Sequence, residues 1–280
     1  MELVRNKLGE LTPELPPQFP FRVSHTPSQE RCLIANREIR PEETVLSDSA
    51  ILLGPASPLV CIVCCSSRSG CGRCPKCRHL LCQICSASGA HDSDECQALL
   101  ACGYNRDMYN VILPVRFGLL KQRDDEMFEW LMQYMDHNKE RNNNKEMRES
   151  TDRMATIVSH VVPGIDKDLA WKIIGILFTN CFEFKLADIE ARALYPLVSL
   201  INHSCIPNMR HTNLINELKS EQQQVEGEIV VMKLEAQRTI LPNTELTIRY
   251  NDYMMVSSLR GARSRVAFIN ILGRIIPRVL

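Results

Sequence analysis

The spacing of apolar positions divides the chain into a strand-rich beginning, a helical middle and a strand-rich end, which together predict an α+β fold. Phe21, Val23 and His25 alternate with polar residues. Cys32 to Ala35 is a short apolar run, and Thr44 to Leu53 is a further apolar segment entered through the turn Arg40-Pro41-Glu42-Glu43. From about residue 97 the period changes to that of helices. Met127, Phe128, Leu131, Tyr134 and Met135 share one face, and Met154, Ile157, Val158 and Val161 share another that stops at Pro163-Gly164. Asp166 is the expected N-cap of a helix carrying Leu169, Ile173, Ile174 and Leu177. The polar run Asn138 to Glu149 predicts a solvated loop. Strand character returns after residue 190, with β-rich segments from Glu228 to Leu234 and from Glu245 to Tyr250. In the second, Leu246, Ile248 and Tyr250 fall on one face, and Thr247 and Arg249 on the other.

Composition narrows the class. The chain has 280 residues, 45% of them hydrophobic and 24% charged, enough for a sizeable core and one or two domains. Its 33 basic and 33 acidic side chains cancel, which argues against a whole-chain electrostatic partner such as duplex DNA or an anionic membrane. The opening residues hold no apolar core of signal-peptide length. The longest apolar run, Ile173 to Phe178, falls far short of the ~20 residues that cross a bilayer. An intracellular protein of the cytoplasm or nucleus is expected.

Cysteine placement carries most of the chemical information. Nine of the 13 cysteines lie between Cys61 and Cys96. Packing does not cluster thiols so densely, and a disulfide framework belongs to small secreted domains. Cys61-x2-Cys64 and Cys74-x2-Cys77 are followed by Cys82, Cys85, His91 and Cys96, eight ligands that suffice for two tetrahedral zinc ions with no open position. The ions would be structural, because a segment of roughly 40 residues with few large apolar side chains builds little core of its own. Cys65 and Cys71 are left as spare thiols. Residues 58–100 carry four basic and three acidic side chains, no surface of the kind a nucleic-acid-binding finger needs.

The order and spacing of these ligands resemble the MYND zinc finger. That resemblance implies one ion held by Cys61, Cys64, Cys82 and Cys85, and a second held by Cys74, Cys77, His91 and Cys96. Two spacings depart by one residue: Cys82-x2-Cys85 is one shorter than usual and His91-x4-Cys96 one longer.

A second landmark lies downstream. Asn202-His203-Ser204-Cys205-x-Pro207-Asn208 resembles the signature of SET-domain protein lysine methyltransferases, and Glu245-Leu246-Thr247-x-x-Tyr250 resembles the family's second signature. Ala35-Asn36-Arg37-Glu38-Ile39-Arg40-Pro41 looks like the opening SET segment. A MYND finger inserted after that opening is the arrangement of the SET-and-MYND family, and the context Leu194-Tyr195-Pro196-Leu197 with Asn180-Cys181-Phe182 is closest to its arthropod-specific branch. The implied organisation is an N-terminal extension (1–20), a first SET part (21–57), the finger (58–100), a helical insertion (101–187), a second SET part (188–258) and a divergent basic tail (259–280).

The resemblance also implies roles. Asn202 and His203 would contact S-adenosylmethionine, Ser199 and Leu200 would line its site, and Asn180 would lie near its amino-acid portion. Tyr250 would stand at the methyl-transfer channel. A sulfonium methyl is already electrophilic, so such a site must mainly align a neutral lysine amine, which positioning and desolvation accomplish. Two departures favour an alternative, a catalytically inactive adaptor whose finger binds protein partners such as proline-containing peptides. Glu30-Arg31-Cys32 stands where the family has Gly-x-Gly, a spacing that lets backbone approach the cofactor. In addition, no cysteine follows Cys205 to build the family's post-SET zinc site, so Cys205 is expected to be a small buried residue.

Overall fold

A computed structural model of the chain describes residues 19–24, 31–67, 71–89, 91, 93–103, 106–186, 189–216 and 229–250. Glu30, His25, the extension 1–18 and the tail from 251 onward lie outside the described residues. The strands are β1 (Phe21–Ser24), β2 (Cys32–Ala35), β3 (Thr44–Ser49), β4 (Leu52–Pro55), β5 (Gly72–Arg73), β6 (Leu80–Leu81), β7 (Phe182–Leu186), β8 (Ile189–Leu194), β9 (Asn202–His203), β10 (Met209–Asn216), β11 (Ile229–Ala236) and β12 (Thr247–Ile248). They form small sheets of two or three strands, in the orders β1-β2, β10-β11-β3, β4-β8-β7, β5-β6 and β12-β9. Mixed helix and small sheet is the α+β architecture expected.

The segment read as one apolar stretch from Thr44 to Leu53 is two strands in different sheets. β3 pairs antiparallel with β11, whereas β4 pairs antiparallel with β8. The chain changes sheet at Ala50 and Ile51, whose amides bond the carbonyls of Val230 and Leu194. Strand structure also begins earlier than residue 190. β7 starts at Phe182, directly after the Lys167–Asn180 helix, and pairs with β8.

The helices obey local signals. Asp166 caps the Lys167–Asn180 helix by accepting from the Leu169 amide at 2.8 Å. Asn144 caps the Lys145–Val161 helix in the same way through Met147, at 3.1 Å. The two helices pack against each other through the turn at Pro163-Gly164, where Gly164 takes a positive φ of 78°. The Ile112–Arg123 helix packs on this pair and on β4.

The run Asn138 to Glu149 is helical rather than a loop. It forms the short Asn138–Asn142 helix and the first turn of Lys145–Val161. Its one buried side chain, Arg141, lies with its guanidinium carbon 4.9 Å from the Phe178 ring centroid. Gly175 makes that docking possible, since a Cβ there would fall 2.4 Å from Asn138 Oδ1.

β5, β6 and the helices Gln83–Ala87 and Ser93–Ala101 make a small lobe with its own buried cluster. Six of the ten fully buried members described there are cysteines, so apolar packing alone stabilises this lobe little. No helix among the described residues is long and apolar enough to cross a membrane.

Candidate cofactor site and metal centres

β9 and β12 pair in parallel, Asn202 opposite Thr247 and His203 opposite Ile248. On its other side, the 243–248 segment bonds β2: the Ala35 amide donates to Thr244 and the Leu246 amide to the Leu33 carbonyl, at 2.9 and 2.8 Å. The second signature is therefore clasped between the opening segment and the first signature. Apolar alternation drives this seating. Leu246 and Ile248 are buried, Arg249 is exposed, and Tyr250 is half-buried on their side.

Asn208 locks the clasp. Its Nδ2 donates to the Glu245 carbonyl at 2.7 Å and its Oδ1 accepts from the Thr247 amide at 2.9 Å. Asn202 Nδ2 donates to the Arg31 carbonyl at 3.2 Å and to Glu245 Oε1 at 2.8 Å. Both amide hydrogens of Asn202 are thus used, and what it offers a ligand is the acceptor Oδ1.

His203 and Tyr250 act on each other. The Tyr250 amide donates to His203 Nδ1 at 3.1 Å, which puts the ring proton on Nε2, 3.4 Å from Cys205 Sγ. Burial, and then the Arg249 charge, hold the His203 pKa below its ordinary value, so the imidazole is neutral. The two rings lie 5.3 Å apart, and the Tyr250 hydroxyl donates to the Ile201 carbonyl at 2.6 Å. Burial, reinforced by the Glu245 charge, pushes the Tyr250 pKa up to about 12. The phenol is therefore protonated, its hydrogen is taken, and its oxygen can accept from an amine.

The remaining residues of the expected set converge here in part. The Ser199 hydroxyl donates to the Asn180 carbonyl at 3.1 Å, and Asn180 Nδ2 donates to Met135 and Ile176 carbonyls at 2.9 and 2.7 Å. Ser199 and Leu200 belong to the short 3-10 helix Val198–Leu200, which leads directly into β9. Leu200 itself is buried. Cys205, expected to be buried, is exposed, because it sits on the outer bend after β9.

Several participants were not legible in advance. Asp48, 3% exposed, accepts from the Leu197 and Val198 amides at 2.7 and 2.9 Å and so fixes the start of the Val198–Leu200 helix. Its signal is an acid inside an apolar strand. Phe182 lies edge-on to Tyr195 and Tyr250, at 6.0 and 6.3 Å, and its place beside Asn180 is the only local hint of this. Arg31 lies 5.3 Å from the Tyr134 ring centroid and donates to the Gln133 carbonyl. Cys32 Sγ turns to the Ser24 carbonyl at 3.6 Å, so β1 takes up this side chain where the family pattern has glycine.

The expected ligands gather into two groups, each of which could hold a metal ion. Cys61, Cys64, Cys82 and Cys85 gather in one cluster and Cys74, Cys77, His91 and Cys96 in another, with ligand atoms all within 4.8 Å of one another. Tetrahedral zinc with Zn–S near 2.3 Å sets sulfurs about 3.8 Å apart. The Cys64–Cys82 and Cys74–Cys96 sulfurs are 3.8 and 3.6 Å apart, and Cys77 Sγ is 3.2 Å from His91 Nε2. The donor sets fit the ion. The shortened Cys82-x2-Cys85 spacing is accommodated because Cys82 is the N-cap of the Gln83–Ala87 helix and Cys85 lies on its first turn. His79 pairs with the Cys77 carbonyl instead and stands outside both clusters. The spare Cys65 thiol is pushed up to about 12 by burial, and Cys71 is also raised by burial, so neither is a ready thiolate.

Comparison with known proteins agrees with this geometry. The SET domain family model matches residues 30–251, and the chain belongs to the SET-domain family. Among curated proteins, isoform B of the Drosophila melanogaster SET domain-containing protein SmydA-8 is 29% identical over 231 residues, 75% of this chain and 49% of the relative. Isoform A is 25% identical over 234 residues, 75% of this chain and 48% of the relative. The chain spans about half the length of these relatives. The SET-and-MYND assignment made from the motifs is supported by these matches. Among solved structures, the SET domain of LSMT bound to lysine and AdoHcy overlaps with a TM-score of 0.47 at 11% identity, covering 85% of this chain and 51% of that one. Rubisco LSMT bound to AdoMet overlaps with a TM-score of 0.34 at 13% identity, covering 85% and 50%. Neither overlap is close enough to transfer a residue's role.

Proposed function

We propose that this chain is an S-adenosylmethionine-dependent protein-lysine N-methyltransferase of the SET-and-MYND type, with structural zinc at both cysteine clusters. The observation that carries the reading is the clasp of β9 and β12, which sets a neutral His203 against a protonated Tyr250 beside Asn202. When bound, S-adenosylmethionine would supply an electrophilic sulfonium methyl. Asn202 Oδ1 and the Asn180–Ser199 junction would hold its polar end. Tyr250 Oη, its own hydrogen donated to Ile201, would accept from a lysine amine and orient the lone pair. The Phe182, Tyr195 and Tyr250 rings would desolvate that amine and favour its neutral form. No nucleophilic side chain and no catalytic metal is required. Clustered zinc thiolates of this kind suit a reducing, intracellular compartment.

The adaptor alternative rests on the sequence Glu30-Arg31-Cys32 and on the lack of a cysteine after Cys205 in this sequence. Against it, the Cys32 thiol is turned into β1. The test pairs calorimetric titration with S-adenosylhomocysteine and methyl transfer from labelled S-adenosylmethionine to lysine-containing proteins. Binding with transfer supports the enzyme, binding without transfer on any substrate points to a pseudoenzyme, and no binding by folded protein refutes the proposal.

A further inference from the structure

Outside the signatures, one buried polar arrangement links the second metal cluster to the rest of the molecule. Glu95 sits on the Ser93–Ala101 helix beside the ligand Cys96, and its side chain is buried. Its Oε1 lies 3.7 Å from His91 Nδ1, the ring nitrogen facing away from Cys77. That nitrogen is buried and has no hydrogen-bond partner. On its other side, Glu95 receives both arms of Arg116, Nε at 2.9 Å and Nη2 at 2.7 Å. Arg116 belongs to the Ile112–Arg123 helix in the body, and it also donates to the carbonyls of Leu53, in β4, and Ile62, in the finger, the latter at 2.8 Å. One guanidinium therefore ties β4, the first finger loop and the last finger helix.

A histidine that ligates a metal through one nitrogen donates the proton on the other to a carboxylate or carbonyl, which sets the tautomer and strengthens the ligand. Cys77 and the cluster face Nε2, so the proton of neutral His91 belongs on Nδ1, aimed at Glu95. The carboxylate is in place for this role. Arg116 holds it from the far side with both arms of its fork, leaving Oε1 turned toward His91. A bidentate arginine is also the arrangement that stabilises a buried carboxylate.

We propose that Glu95 is a positioning residue for the second metal site, orienting His91, and that Arg116 transmits this order to the body by clamping the finger onto β4. The inference rests on the reading of both clusters as zinc sites. It implies that the two ions are not equivalent: a ligand of the His91 site is oriented by Glu95, whereas the contact of the body with the four-cysteine site is to the backbone carbonyl of Ile62 between two ligands.

The experiment uses the full chain loaded with zinc, and follows release of zinc to a chromophoric chelator for wild type, Glu95→Gln and Arg116→Lys. Gln keeps the volume and an acceptor but loses the charge, and Lys keeps the charge but loses the fork. Outer contacts of this kind are worth about 10–100-fold in metal affinity. The expected result for Glu95→Gln is two phases, one ion released about 10–100-fold faster and the other at the wild-type rate, with a smaller acceleration of the same ion in Arg116→Lys. Unchanged release of both ions would overturn the proposal. So would equal acceleration of both, which marks general loosening rather than an effect on His91. Wild-type release in Arg116→Lys alone would remove Arg116 from the role. A wild-type protein that retains no zinc would overturn the zinc reading itself, and so is distinguished from failure of the Glu95 proposal.

Discussion

Replacing Asp48 with alanine should unfasten the cofactor site from beneath. The Asp48 carboxylate is buried in β3 and takes the Leu197 and Val198 amides at 2.7 and 2.9 Å, across some 150 residues of sequence. Those amides open the 3-10 helix that carries Ser199 and Leu200 and then enters β9. Alanine leaves two buried donors without a partner, each costing about 1–3 kcal/mol, so the loss should be about 3–4 kcal/mol. In a domain of this size, 1 kcal/mol moves the melting temperature by about 2–4 °C, which puts the shift near 10 °C. Asp48→Asn keeps one acceptor and removes the charge, and should cost roughly half as much. Differential scanning fluorimetry on the zinc-loaded protein gives the shift, and titration with S-adenosylhomocysteine gives the functional consequence. Affinity should fall with stability, because Ser199 and Asn202 lose their support. A shift under about 2 °C in Asp48→Ala, or equal shifts in the two variants, would refute the reasoning.

Further expectations follow from other contacts. Gly175→Ala places a methyl 2.4 Å from Asn138 Oδ1 and 2.8 Å from the Asp136 carbonyl, so despite better helix propensity it should destabilise by about 1–3 kcal/mol in thermal melts. Tyr250→Phe keeps the ring against His203 and Phe182. It should leave S-adenosylhomocysteine affinity within a few-fold while cutting methyl transfer at least 100-fold, read by labelled methyl incorporation. The His203 pKa is depressed in the folded protein, so as pH falls through about 6.5 the unfolded chain takes up a proton that the folded chain refuses. Stability should therefore drop as pH is lowered from 7.5 to 5.5, and the difference between wild type and His203→Gln melts isolates that contribution. Stripping metal with a strong chelator should abolish the structure of residues 61–96 while the helical pair Lys145–Val161 and Lys167–Asn180 persists, which hydrogen exchange resolves segment by segment.

What could be read in advance was what local chemistry dictates. Cys32 to Ala35 is a short apolar run and becomes a strand, Asp166 caps its helix as its position requires, and cysteines paired two residues apart fall in the same cluster. The motif residues Asn202, His203 and Tyr250 could be named, but not the partners that shape them. Glu245 reaches Asn202 across 43 residues, and Arg31 contacts the Tyr134 ring from a position over 100 residues away. Such pairings depend on topology that no short window encodes. The Asn138 to Glu149 misreading has the same origin. A mostly polar segment becomes helical because Arg141 finds Phe178 and because Gly175 leaves room. The sheet switch at Ala50-Ile51 was hidden because no glycine or proline breaks the run from Thr44 to Leu53 and the two strands differ in their partners.

The central claim is that the clasped signatures form a working pocket for S-adenosylmethionine despite the replaced glycines. Calorimetric titration of the zinc-loaded chain with S-adenosylhomocysteine tests it most directly, alongside Asp48→Ala as a variant with a disturbed pocket. Micromolar binding in the wild type, weakened in the variant, is the expected result. No detectable heat from a wild-type protein that melts cooperatively and carries two zinc ions would contradict it.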